Sequence, residues 1–222
     1  MLTYVFIPGG WHGGWVYDPI IENLERFGEK CFSLTLPGLE ITPVIPNKPI
    51  NLDTHIQYVV DFVLKENITE IILCGHSYAG LVITGVADQI PERISALVYI
   101  DAYIPKNGDS CWSLTSDAYR QRFATGASRD GFTVADRPGV DDRRRPQPLA
   151  TFMQGLKLNG NYKRILNRTF IFLSNWEDSP FVKQYEHLKN SPDWHVEIVH
   201  CGHNIMKEAP EKLTDILTRL GK

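Results

Sequence analysis

The sequence predicts an α/β protein: an open, mostly parallel sheet of about six strands, helices on both faces, and an inserted cap. Three observations carry this. Short β-rich runs alternate with amphipathic helical patterns from the first residues onward. Ile71-Ile72-Leu73-Cys74 is apolar at every position, as in a strand buried on both faces of a parallel sheet. The alternation fails between Tyr103 and Lys163 and then resumes, and structureless stretches of that length are usually functional.

Tyr4 to Ile7 reads as the first strand, ended by Pro8-Gly9-Gly10. Residues 16–27 place Val16, Ile20, Leu24 and Phe27 on one helical face, and Gly28 stops the pattern. Cys31 to Leu36 is a second strand closed by Pro37-Gly38, and a loop with Pro43, Pro46 and Pro49 follows. Leu52-Asp53 opens a helix with Ile56, Val59, Val60, Val63 and Leu64 inward. After the apolar strand at 71–74, Leu81 to Val86 continues as helix and Ala96 to Ile100 as strand. Past the irregular block, strands return at Thr169–Leu173 and His195–Val199, and a helix with Leu213, Ile216, Leu217 and Leu220 closes the chain. The expected division is a core of residues 1–102 and 164–222 with a cap (lid) of residues 103–163.

Composition narrows the function. Hydrophobic residues are 43% and charged residues 22%, with a formal net charge of −3, so the chain is neither disordered nor collagen-like and has no basic field for nucleic acid. No apolar run approaches the roughly 20 residues that span a bilayer. The N-terminus lacks the charged region and small-residue cleavage site of a signal peptide, and cytoplasmic placement is the expectation. The four cysteines match no metal or redox spacing. A small-molecule substrate, no nucleic acid and no membrane are therefore expected, with homodimerisation left open.

The sharpest local signal is Gly75-His76-Ser77-Tyr78-Ala79-Gly80, between the apolar strand and a helix. That context makes a nucleophile elbow, in which a serine sits on a strained turn and its neighbours two residues away must be small. A serine hydroxyl needs a base, and the base an orienting acid. His203, after the last strand, is the candidate base. Three carboxylates compete as the acid: Asp178 is preferred, Glu177 stands one residue away, and Asp101 follows the strand 96–100. The Gly-rich loop Pro8 to Trp15 lets backbone amides approach a ligand, and those of Trp11 and Tyr78 are the candidate oxyanion-hole donors. Gly10, His12, His76 and Trp112 are expected at the substrate pocket, with Leu114, Phe123, Phe132, Phe152 and Met153 as further walls. Arg143-Arg144-Arg145 reads as a solvated, paired surface run.

On these motifs the chain resembles the α/β-hydrolase superfamily, in the small branch of methylesterases, hydroxynitrile lyases and bacterial esterases. The residues that carry the resemblance are Gly9-Gly10-Trp11-His12-Gly13-Gly14-Trp15, Leu36-Pro37-Gly38, Gly75-His76-Ser77-Tyr78, Val98 to Ala102, and Gly202-His203. Relatives usually carry His-Gly where this chain has Pro8-Gly9. The resemblance implies the α/β-hydrolase fold and a metal-free, cofactor-free Ser–His–acid enzyme with a cap over its site. The expected reaction is hydrolysis of a small hydrophobic or aromatic ester or lactone through an acyl-enzyme on Ser77. Alternatives are a hydroxynitrile-lyase-like C–C lyase, a biosynthetic acyl transferase or cyclase, and a non-catalytic small-molecule receptor.

Overall fold

The computed structural model describes residues 1–42, 49–137, 139 and 141–220; Pro43 and Pro46 of the Pro-rich loop lie outside the described residues. The chain runs β1 (Thr3–Ile7), α1 (Asp18–Arg26), β2 (Lys30–Ser33), α2 (Leu52–Lys65), β3 (Ile71–His76), α3 (Ala79–Gln89) and β4 (Ile94–Ile100). The inserted stretch holds α4 (Cys111–Leu114), α5 (Asp117–Gly126), β5 (Thr133–Val134), β6 (Gln147–Pro148) and α6 (Leu149–Met153). The chain then returns through β7 (Arg168–Leu173), α7 (Val182–Leu188), β8 (His195–Val199), α8 (Ile205–Glu208) and α9 (Pro210–Leu220).

Six strands form one sheet in the order β2-β1-β3-β4-β7-β8, every neighbouring pair parallel. The period of two along each strand divides the side chains between two cores. Val5, Ile7, Leu73, Leu97, Tyr99, Phe170 and Phe172 face one way, onto α2 and α3. Tyr4, Phe6, Ile72, Cys74, Val98, Ile100, Ile171 and Leu173 face the other, onto Ile20 and Leu24 of α1 and Leu213, Ile216 and Leu217 of α9. Each fully buried branched or aromatic side chain contributes about 1.5–3 kcal/mol. A run that is apolar at every position therefore belongs in the middle of such a sheet, where β3 lies.

Asn51 caps α2, accepting from Thr54 N–H at 3.0 Å while its own N–H donates to Thr54 Oγ1 at 3.2 Å. Such a reciprocal cap satisfies two otherwise unpaired helix donors. Two expected inward positions point out instead: Phe27 is 68% exposed and Leu64 46% exposed. Phe27 follows the last residue of α1, and Leu64 lies in the final turn of α2.

The order β2-β1-β3 means the chain steps outward from β1 to β2 and then back across to β3. The β1/β3 boundary is thus the sheet's switch point, where the loops leaving adjacent strands diverge and open a crevice at their carboxyl ends. Gly9-Gly10-Trp11 leaves β1 there, and Ser77 leaves β3.

Candidate active site

Ser77 follows β3 and immediately precedes Tyr78 and α3, with φ of 54°. This left-handed conformation is uncommon for a residue with a Cβ and marks a strained turn. Its N–H donates to Ile100 O at 3.2 Å, and its own carbonyl accepts from Gly80 and Tyr103, each at 3.2 Å. The small neighbours are sterically required. A Cβ on Gly75 would stand 2.9 Å from Ala79 O, and one on Gly80 only 1.9 Å from Tyr103 O. Ala79 is tolerated because the closest approach of the next segment falls at Gly80. The loop from β1 lies directly over the turn, where a Cβ on Gly9 would meet His76 Nδ1 at 2.7 Å and Ser77 Cβ at 3.1 Å.

His203 follows β8 and lines the same pocket as Ser77. Its Nδ1 is 2.7 Å from Asp101 Oδ2. Asp101 follows β4, is fully buried, and accepts a second, longer bond from Leu173 N–H at 3.4 Å. Burial pushes the Asp101 carboxyl above the usual carboxylate range, with the Leu173 N–H opposing. Burial, reinforced by the Arg144 and Arg122 guanidiniums, holds the His203 pKa down, to about 3 against an ordinary 6.5. The imidazole is therefore neutral at pH 7. Its ring packs between Trp176, at 4.1 Å between centroids, and His76, at 4.4 Å.

Of the three candidate carboxylates, the structure does not bring Asp178, the sequence preference, to His203. Asp178 and Glu177 are exposed, whereas Asp101 reaches His203. The physical reason is the parallel register: Ile100 pairs with Ile171 and Leu173 with Val199, which brings the carboxyl ends of β4, β7 and β8 together. The β7–α7 loop supplies Trp176 to the site in place of a carboxylate.

Hydrogen bonds from several elements hold the glycine loop. His12 Nδ1 is 2.9 Å from Gly10 O, Trp11 N–H donates to Gln147 Oε1 at 2.9 Å, the Trp11 indole donates to Val134 O at 2.9 Å, and His12 N–H donates to Gly9 O at 3.3 Å. Trp11 itself has φ of 65°. Its amide, a candidate oxyanion-hole donor in the sequence, is thus directed at Gln147. Among the described residues the Gly10 and Tyr78 amides donate to no protein acceptor, and Gly10 lines the pocket.

The pocket, of about 290 Å³, is bounded by Gly9 to His12, His76, Ser77 and His203 from the strand ends. Tyr119, Arg122, Asp136, Arg137 and Arg144 come from the inserted stretch, and Trp176, Asn204 and Glu208 complete the wall. Gly10, His12 and His76 line the pocket. Trp112 does not, and neither do Leu114, Phe123, Phe132, Phe152 or Met153. Phe123 and Phe152 stack on each other at 4.5 Å and fill the core beneath Trp11 and Tyr78, Trp112 packs on Phe123, and Phe132 and Met153 are exposed. The arginine run divides. Arg143 pairs with Asp141 and lies 3.9 Å over the Trp15 ring, Arg145 donates to Ile41 O, and only Arg144 enters the pocket. Among the described residues no group of three or more His, Cys, Asp or Glu is placed to hold a metal ion.

The sequence model of the alpha/beta hydrolase family matches residues 4–216. A carbendazim hydrolyzing esterase of Nocardioides sp. (strain SG-4G) is 34% identical, covering 100% of both chains. Methylesterase 18 of Arabidopsis thaliana is 31% identical over 47% of this chain and 40% of its own. Among solved structures, an extracellular alpha/beta-hydrolase from a Paenibacillus species superposes with a TM-score of 0.84 at 19% identity, covering 99% of each chain.

Proposed function

From the premise that this chain belongs to the alpha/beta hydrolase family, in its methylesterase-like branch, we propose that it hydrolyses small carboxylic esters, with Ser77 as nucleophile, His203 as base and Asp101 as the orienting acid. The observation that carries the proposal is the 2.7 Å bond from a buried carboxylate to the Nδ1 of a histidine that shares a pocket with a strained serine. A neutral His203 with its proton on Nδ1 keeps the Nε2 lone pair for the Ser77 hydroxyl proton.

In this reading Ser77 Oγ attacks the ester carbonyl as Nε2 takes its proton. The charge that develops on the carbonyl oxygen is met by the Gly10 and Tyr78 amides. Gly10 replaces Trp11 in that role because the Trp11 amide is occupied by Gln147. Collapse breaks the ester C–O bond, and the leaving alkoxide takes the proton from His203. Water then attacks the acyl-Ser77 ester with His203 again as base, and the acid departs. The segment 103–163 serves as a cap, since α5 and the loops at Asp136 and Arg144 form one wall of the pocket.

The test is turnover of a short-chain 4-nitrophenyl ester by the wild type, Ser77→Ala and His203→Gln. Either variant is expected to lose about 10⁴-fold or more in kcat. Unchanged turnover in Ser77→Ala would refute the assignment.

A further inference from the structure

The polar wall of the pocket is not used by the chemistry above. Arg122 on α5 and Arg144 before β6 both pair with the carboxylate of Asp136, the second at 2.5 Å. All three side chains are largely buried, at 21%, 14% and 8% exposed. The Arg122 guanidinium lies 4.6 Å over the Trp11 ring and that of Arg144 5.9 Å from it, so both are fixed beside the loop that covers Ser77. One carboxylate between two guanidiniums leaves a positive charge. The charged residues of the whole lining are Arg122, Arg137 and Arg144 against Asp136 and Glu208, and Glu208 is committed to Gly202 N–H.

Pinning the inserted stretch needs one arginine on Asp136. The second adds a buried charge that costs free energy unless it is paired, and Arg144 Nε is buried with no hydrogen-bond partner. A guanidinium presents its donors in a fixed fork that matches a carboxylate. We propose that Arg122 and Arg144, braced by Asp136 and Trp11, form an anion subsite, so that the favoured substrates are esters carrying a carboxylate a few atoms beyond the scissile bond. A half-ester of a short dicarboxylic acid has that chemistry, and a cavity of about 290 Å³ is at the small end for ligand sites. The uncompensated charge also reaches His203, whose pKa both guanidiniums lower; a bound carboxylate screens them and leaves the imidazole a stronger base.

The inference rests on the ester-hydrolase reading and is tested beside it. The kcat/KM for mono-4-nitrophenyl glutarate is compared with that for its neutral methyl ester, 4-nitrophenyl methyl glutarate. The wild type is expected to prefer the anionic ester about tenfold or more, because charge-assisted pairs are the stronger hydrogen bonds. The ratio is expected to shrink with added salt, to collapse in Arg144→Gln and in Arg122→Gln, and to recover in part in Arg144→Lys. A wild-type ratio at or below one, or a ratio that both glutamine variants leave intact, overturns the subsite. If no ester is turned over, the hydrolase reading fails and calorimetry decides the subsite alone. Glutarate binding to Ser77→Ala that weakens about tenfold when Arg144→Gln is added upholds it, and no binding overturns it.

Discussion

Replacing Asp101 by asparagine tests which of the three carboxylates that sequence alone leaves in competition orients His203. Asp101 is fully buried, with one oxygen 2.7 Å from His203 Nδ1 and the other 3.4 Å from Leu173 N–H. Asparagine keeps the shape but has one acceptor. With that oxygen on Leu173 N–H, its amide nitrogen faces Nδ1 and donates to it, which forces the imidazole proton onto Nε2. The nitrogen meant to accept the Ser77 proton is then blocked. With the amide turned over, two donors collide at Leu173. The expected loss in kcat is about 10⁴-fold, or about 5.4 kcal/mol at 1.36 kcal/mol per decade. Asp178→Asn is the control: Asp178 is exposed with φ of 58°, and asparagine tolerates that conformation. Ester turnover and thermal melting of both variants form the assay. A folded Asp101→Asn enzyme with near-wild-type kcat, or a comparable collapse in Asp178→Asn, would refute the assignment.

Other consequences follow from the same geometry. Gly80→Ala places a methyl 1.9 Å from Tyr103 O, and it is expected to lower stability by about 3 kcal/mol or more, read as a fall in Tm; Ala79→Gly, two residues from the serine, should cost only about 1 kcal/mol. Because His203 is active when neutral and its pKa is lowered from 6.5, activity is lost only as pH falls through that lowered value. The kcat/KM profile for a neutral ester should therefore show no inflection near 6.5, and one there would contradict the account. Gln147→Leu removes the buried acceptor of Trp11 N–H. It is expected to cost about 1–3 kcal/mol, seen in denaturant unfolding together with a fall in kcat as the loop loses its support.

The sheet was legible because its signals are local. Ile71 to Cys74 could only be an inner strand, and the Gly75–Gly80 turn announced its geometry through small residues that the close approach of Ala79 and Tyr103 now explains. Ser77 and His203 are found at strand ends for the same reason. Asp101 was harder, since it stands 102 residues from His203 and the two meet only through the register of β4, β7 and β8. Composition could not say which aromatic residues of the inserted stretch reach the pocket, where Tyr119 does. Phe123 and Phe152 instead pack against each other and Trp11, beneath the site. Arg122 and Arg144 do reach the pocket wall, largely buried and paired with Asp136. Pattern alone could not divide Arg143-Arg144-Arg145, since neighbours along an irregular segment point in unrelated directions.

The central claim is that Ser77 is an activated nucleophile, and intact-protein mass after exposure to a fluorophosphonate tests it most directly. The account predicts a single adduct that maps to the peptide bearing Ser77, is absent in Ser77→Ala, and forms far more slowly in His203→Gln. No adduct on the folded wild type, or one that persists in Ser77→Ala, would contradict it.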